Sequence, residues 1–153
     1  MLIGIYLFSW GGQVEFKAHG VFSLHRDGQV IVIEATGPWN LELIRQYAHD
    51  VQPVTRELAS GGPWGAIVLV RNSVLFTTEA ADALREAGFR TAKSSGRIAV
   101  AYVISPEVEG ALLAPDILRR IYDGLNTWAI FSELDQAMDW MRGQIAAHHA
   151  AAA

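Results

Sequence analysis

Two uninterrupted apolar runs, AIVLV at residues 66–70 and IAVAYVI at residues 98–104, restrict this chain more than any other feature. A strand with one wet face alternates apolar and polar residues, whereas an unbroken run is covered on both faces, as in a parallel sheet with helices packed over it. Helical periodicity flanks both runs. Before the first, Leu41, Ile44, Ala48, Val51 and Leu58 share one helical face, with Asn40 as N-cap, Trp39 placed to pack on Ile44, and Pro53 set to kink or split the helix. Between the runs, Thr77 or Thr78 caps a helix carrying Ala80, Ala81, Leu84 and Ala87 and ending at Gly88. After the second run Pro115 and Asp116 open a third helix, a short strand follows at residues 128–131, and Ser132 begins a fourth helix with Leu134, Ala137, Met138, Met141 and Ile145 as its apolar stripe.

Upstream, residues 21–25 and 30–36 are β-rich and separated by Arg26-Asp27-Gly28-Gln29; Asp-Gly is the pair that a tight hairpin turn with positive φ selects. The order is therefore hairpin, helix, strand, helix, strand, helix, strand, helix. Right-handed crossovers then build a largely parallel sheet with an antiparallel N-terminal portion. We expect one α/β domain over residues 1–145: a central mixed β-sheet, an N-terminal β-hairpin, about four covering helices, and the two apolar runs as neighbouring inner strands. The Ala/His segment at residues 146–153 has nothing to anchor it and is expected to be a disordered tail. Residues 2–10 are nearly all apolar but fall short of the roughly 20 residues a membrane span needs, and they lack the basic region and cleavage site of an export signal. They are expected to form a buried strand.

Composition then narrows the function classes. At 153 residues the chain is the size of one domain, and 51% hydrophobic against 18% charged residues supports a real core. Its formal net charge of -4 offers no overall attraction to a phosphate backbone, so no nucleic-acid partner is expected. Cysteine is absent, which removes disulfides and thiolate chemistry. Neither G-x-G-x-x-G nor G-x-x-x-x-G-K-[ST] occurs, and Gly61-Gly62-Pro63-Trp64-Gly65 precedes a strand and reads as a turn. Histidines 19, 25, 49, 148 and 149 show no metal-ligand spacing, so neither metal nor cofactor is expected. No serine elbow exists. An enzyme remains the rival class only through Glu107 and Glu109, beyond the end of a strand, with Arg97 as a converging partner. Trp39, Trp64 and Trp128 fall at element boundaries, where indoles plug the ends of a core, line a pocket or meet a membrane surface.

The hairpin ending V-I-V-I-E-A-T-G-P-W-N, the strand A-I-V-L-V, the threonine-capped helix, the strand G-R-I-A-V-A-Y-V-I and the final strand-helix pair resemble the STAS-like fold, in particular SpoIIAA-like proteins, over about residues 17–145. The resemblance implies a non-catalytic binding or regulatory module. Anti-sigma-factor antagonists of that superfamily carry Asp-Ser-[Ser/Thr]-Gly at the start of the helix after a central strand, and phosphorylation of the serine controls partner binding. Phe76, Thr77, Thr78 and Glu79 stand on those positions, which makes Thr77 and Thr78 the candidate phosphosites, with phenylalanine in place of the acid and glutamate in place of the glycine. Other SpoIIAA-like proteins resemble lipid- or amphiphile-binding, membrane-associating modules. On that reading Trp39, Trp64, Trp128 and Phe76 are the candidate ligand or membrane contacts, with the apolar segment 111–113 adding surface. The expected partner is an unidentified protein or a lipid or other amphiphile, in a cytoplasmic bacterial protein open to peripheral membrane contact and homodimer formation.

Overall fold

The computed structural model describes residues 2–3 and 20–152. Along the chain these form β1 (Leu2–Ile3), β2 (Val21–Asp27), β3 (Val30–Thr36), α1 (Leu41–Asp50), α2 (Gln52–Ser60), β4 (Trp64–Arg71), α3 (Thr78–Ser95), β5 (Arg97–Val103), a 3₁₀ turn (Ala111–Leu113), α4 (Ala114–Tyr122), β6 (Thr127–Phe131) and α5 (Leu134–Ala152). Among the described residues the strands make one mixed sheet in the order β1-β2-β3-β4-β5-β6. The first two pairings are antiparallel and the last three parallel. The two apolar runs are neighbouring inner strands, as expected. Leu2 and Ile3 pair with Ser23 and Phe22; the rest of the strand expected at residues 2–10 lies outside the described residues.

This strand order decides which face each helix takes. Every step from β3 to β6 moves one place in the same direction, so right-handed crossovers all pass over the same face. α1 with α2, then α3, then α4 make those crossovers, and they bury Ile31, Ile33, Ala66, Val68, Val100 and Tyr102 beneath them. α5 follows the last strand and covers the opposite face, setting Ala137, Met138 and Met141 against Val32, Ile67, Ala101 and Val103. Adjacent residues Ala66 and Ile67 therefore belong to different cores. That is the structural meaning of a run without alternation.

Local chemistry sets the element ends. Asn40 accepts a hydrogen bond from the Leu43 N–H at 3.1 Å, and Thr77, the cap of the two threonines offered, accepts from the Ala80 N–H at 3.1 Å. Pro53 splits the first helix: α1 ends at Asp50 and α2 begins at Gln52 with the proline in its first turn, where a missing N–H leaves no broken bond. The buried face of α1 is Leu43 and Ile44, with Leu41 and Ala48 half-buried at its margin.

Three expectations need correction. The hairpin turn is Gly28-Gln29, because β2 continues through Asp27; Gly28, at φ +59, is the first central residue, which is the II′ arrangement. α3 does not stop at Gly88 but runs on to Ser95 and ends at Gly96, where φ is +78. Gly88 is buried, and a Cβ there would stand 3.1 Å from Arg97 Nη2 and 3.5 Å from Leu125 Cδ1. The glycine marks a close approach of another side chain, not a helix end. Finally, α5 carries its helix through Ala152, across the segment from residue 146 expected to be disordered. Alanine is the strongest helix former, and a helix already anchored by Met138 and Met141 has only to propagate into it.

Candidate ligand-binding site

The loops that follow β3 and β4 are zipped together. Trp39 N–H donates to the Leu75 carbonyl at 2.9 Å and Thr77 N–H to the Trp39 carbonyl at 3.1 Å, a parallel bridge that sets Trp39 beside Phe76 with ring centroids 4.7 Å apart. Beneath this pair, between α1, α3 and the sheet, lies an apolar cavity of about 50 Å³. Trp39 and Phe76 border it at one end; Tyr47, Leu84, Tyr102 and Tyr122 also line it. Among the described residues the buried Trp39 Nε1–H has no hydrogen-bond partner. Such a group costs roughly 1–3 kcal/mol, and natural proteins tolerate few of them.

Tyr102 and Tyr122 answer each other, their hydroxyl oxygens 2.9 Å apart. Burial pushes the phenols of Tyr47, Tyr102 and Tyr122 above their ordinary range; neighbouring phenols add to this for Tyr47 and Tyr102, and the nearby Arg97 cation opposes it in all three. All three stay neutral near pH 7 and present hydroxyls, not phenolates.

A second space, a groove of about 350 Å³, adjoins the first, and Tyr47 and Leu84 border both. Its apolar floor includes Ile31, Trp64 and Ala66, while α2 supplies Thr55 and Arg56, α3 supplies Arg90 and Thr91, and β5 supplies Arg97. The Trp64 indole N–H donates to the Ser95 carbonyl at 2.7 Å and so ties the start of β4 to the end of α3. Pockets that hold small molecules commonly measure about 300–1,000 Å³, with apolar walls and a few placed polar groups. The groove has that size, with an apolar floor and polar side chains making up about half of its lining.

The sequence candidates divide accordingly. Trp39 and Phe76 meet at the cavity, and Trp64 lies in the floor of the groove. Trp39 is 4% exposed and Trp64 1%, so neither presents a face to a membrane. Trp128 is elsewhere: half-buried on β6, its indole N–H donating to Asp123 Oδ1 at 2.9 Å. Thr77 and Thr78 are both exposed at the N-terminus of α3, the Thr77 hydroxyl already serving the cap. Glu109 does not converge with Glu107 or Arg97. Its carboxylate accepts a 2.7 Å hydrogen bond from the fully buried Ser73 hydroxyl, and its backbone bonds to Asn72 and Val74, so it latches the loop after β5 to the loop after β4. Neither glutamate borders the cavity or the groove. In the segment 111–113, Leu112 is 97% exposed and Leu113 55%. Tyr47, Arg56 and Arg90 escaped sequence reasoning, since no motif joins them; Arg97 stood out only as a converging partner of Glu107 and Glu109.

Fold and site together define a class: a mixed-sheet α/β domain with ligand-sized space under the helices of one face. The chain has the SpoIIAA-like fold. It is similar, at 14% sequence identity and a TM-score of 0.51, to an uncharacterised DUF3478-family protein with a SpoIIAA-like fold from Shewanella loihica PV-4, over 85% of this chain and 99% of that one. No protein-family model and no curated protein matches the sequence. Among the described residues no helix is long and apolar enough to cross a membrane.

Proposed function

We propose that the protein is a non-catalytic binding module of the regulatory or interaction type, and that its ligand is a small amphiphile held between α1, α3 and the sheet. The observation that carries this is the apolar cavity under Trp39 and Phe76 with a larger groove beside it, Tyr47 and Leu84 bordering both as a shared partition. The cavity, at about 50 Å³, is roughly a third of the size that holds one benzene ring, so it takes only the end of an alkyl chain, at roughly 0.8 kcal/mol per buried methylene, and the rest of the chain lies along the apolar floor of the groove. The titratable groups around the two spaces are phenols held neutral and guanidinium groups that stay charged, and neither is a ready general acid or base near pH 7.

The test is calorimetric titration of the purified protein with octan-1-ol, octanoate and octyl phosphate, each as free monomer, with amide chemical shifts followed in parallel. Saturable one-to-one binding of at least one, with shifts centred on Tyr47, Leu84 and Trp39, is the expected result. A Leu84→Trp variant, which fills the partition, should lose that binding while keeping its fold. Adsorption of wild type and Leu84→Trp alike to neutral liposomes, without saturable binding of any octyl ligand, would replace this reading with a surface-association role.

A further inference from the structure

We infer that the groove is a head-group subsite and that the ligand carries a compact anionic head, a carboxylate or a phosphate, anchored by Arg97. This rests on the amphiphile reading above and adds the chemistry of the polar end. Eighteen residues line the groove; three are arginines, Arg56, Arg90 and Arg97, and none is aspartate or glutamate. In a chain of formal net charge -4 this is a local reversal of sign.

Arg97 is the informative member. It is half-buried at the first position of β5, yet among the described residues no carboxylate pairs with it. Its Nε donates to Asn126 Oδ1 at 2.8 Å, Asn126 Nδ2 donates back to the Arg97 carbonyl at 2.8 Å, and its Nη2 reaches the Gly88 carbonyl at 3.4 Å. The guanidinium carbon lies 6.0 Å from the centre of the Tyr122 ring. Neutral acceptors and an aromatic ring thus hold the group in place without cancelling its charge. A guanidinium has five N–H donors, of which these bonds use two. A partly buried cation without an opposite charge is costly, and an arriving anion relieves that cost while accepting charge-assisted hydrogen bonds about twice as strong as neutral ones. The planar fork matches carboxylate and phosphate oxygens. Gly88 fits the same picture, because its missing Cβ leaves the room that Arg97 Nη2 occupies.

Arg56 and Arg90 are exposed. Arg90 shares its charge with Glu86 at 3.0 Å in solvent, and among the described residues Arg56 reaches only Gln52 Oε1 at 3.4 Å. They add long-range attraction at the rim, screened by salt, and do not fix the head.

The experiment titrates octan-1-ol, octanoate, octyl phosphate and inorganic phosphate into wild type, Arg97→Gln, Arg97→Lys and Arg56→Gln, with thermal melts confirming that each variant is folded. Octanoate or octyl phosphate should bind wild type at least about tenfold more tightly than octan-1-ol. Arg97→Gln should remove that advantage and leave octan-1-ol unchanged, Arg97→Lys should keep part of it, and exposed Arg56→Gln should cost only a few-fold and flatten the salt dependence. Equal binding of alcohol and anions to wild type, or an anion preference surviving Arg97→Gln, overturns the inference and leaves the amphiphile reading standing. Binding of inorganic phosphate with no gain from an octyl tail keeps the anion subsite and overturns the amphiphile. No binding of any of the four overturns both.

Discussion

Replacing Gly65 by alanine should destabilise the protein through the face that the ligand site does not use. Gly65 lies on β4, paired with Val30 and Ala99, and an added Cβ would overlap the Met141 Sδ outright and stand 2.8 Å from its Cε and 3.0 Å from its Cγ. Met141 is fully buried between Ala137, Met138 and the sheet, so its thioether has little free space to enter. Overpacking of this kind costs about 1–3 kcal/mol, offset by roughly 0.4–1 kcal/mol from the lower entropy of an unfolded chain that has lost a glycine. The net expectation is about 1–2 kcal/mol, or roughly 3–6 °C in melting temperature for a domain of this size. Met141→Ala alone should cost about 2–5 kcal/mol by opening a cavity. Made in that background, Gly65→Ala meets no sulfur and should be neutral or slightly stabilising. A double-mutant cycle by urea denaturation should therefore give a coupling of about 1–2 kcal/mol. Additive behaviour within about 0.5 kcal/mol, or a neutral Gly65→Ala in the wild-type background, would refute the contact as the cause.

Thr77→Ala removes the side-chain acceptor for the Ala80 N–H and should cost about 0.5–2 kcal/mol in urea denaturation, whereas Thr77→Ser should stay close to wild type. The buried phenols predict an alkaline limit: Tyr47, Tyr102 and Tyr122 hold their protons in the folded protein to higher pH than in the unfolded chain, so stability from this source is intact below the ordinary tyrosine value of about 10 and falls as pH rises above it. Each phenol still protonated in the fold contributes a downward slope of up to about 1.4 kcal/mol per pH unit there. Denaturation between pH 8 and 11.5 should show this loss, and a Tyr102→Phe/Tyr122→Phe variant should show a shallower one.

The covering of the sheet was legible in residues 66–70 and 98–104, because a strand buried on two faces has no polar positions to conceal it. Asn40, Thr77 and Pro53 likewise act through bonds to residues at most a turn away, which sequence displays directly. Gly88 was misread for the opposite reason. Its role is set by Arg97 and Leu125, which meet it in space, and a local rule for helix ends has no access to either. The groove was hidden in the same way: Arg56, Arg90 and Arg97 belong to three elements and share no spacing. Glu107 and Glu109 looked like a pair because they are two residues apart, yet Glu109 turns to Ser73, 36 positions earlier in the chain.

The division of the core by the sheet bears on how such a protein can change over evolutionary time. Because neighbouring residues of β4 serve opposite compartments, with Ala66 and Val68 on the side of the cleft and Ile67 on the side of α5, the two sides can drift at different tempos. Substitutions that reshape the cleft draw on the stability reserve held by α5 and its methionines without disturbing their packing. Lineages of this architecture would then diverge in ligand preference long before they diverge in the helix that keeps them folded, with the sheet acting as a firewall between innovation and upkeep.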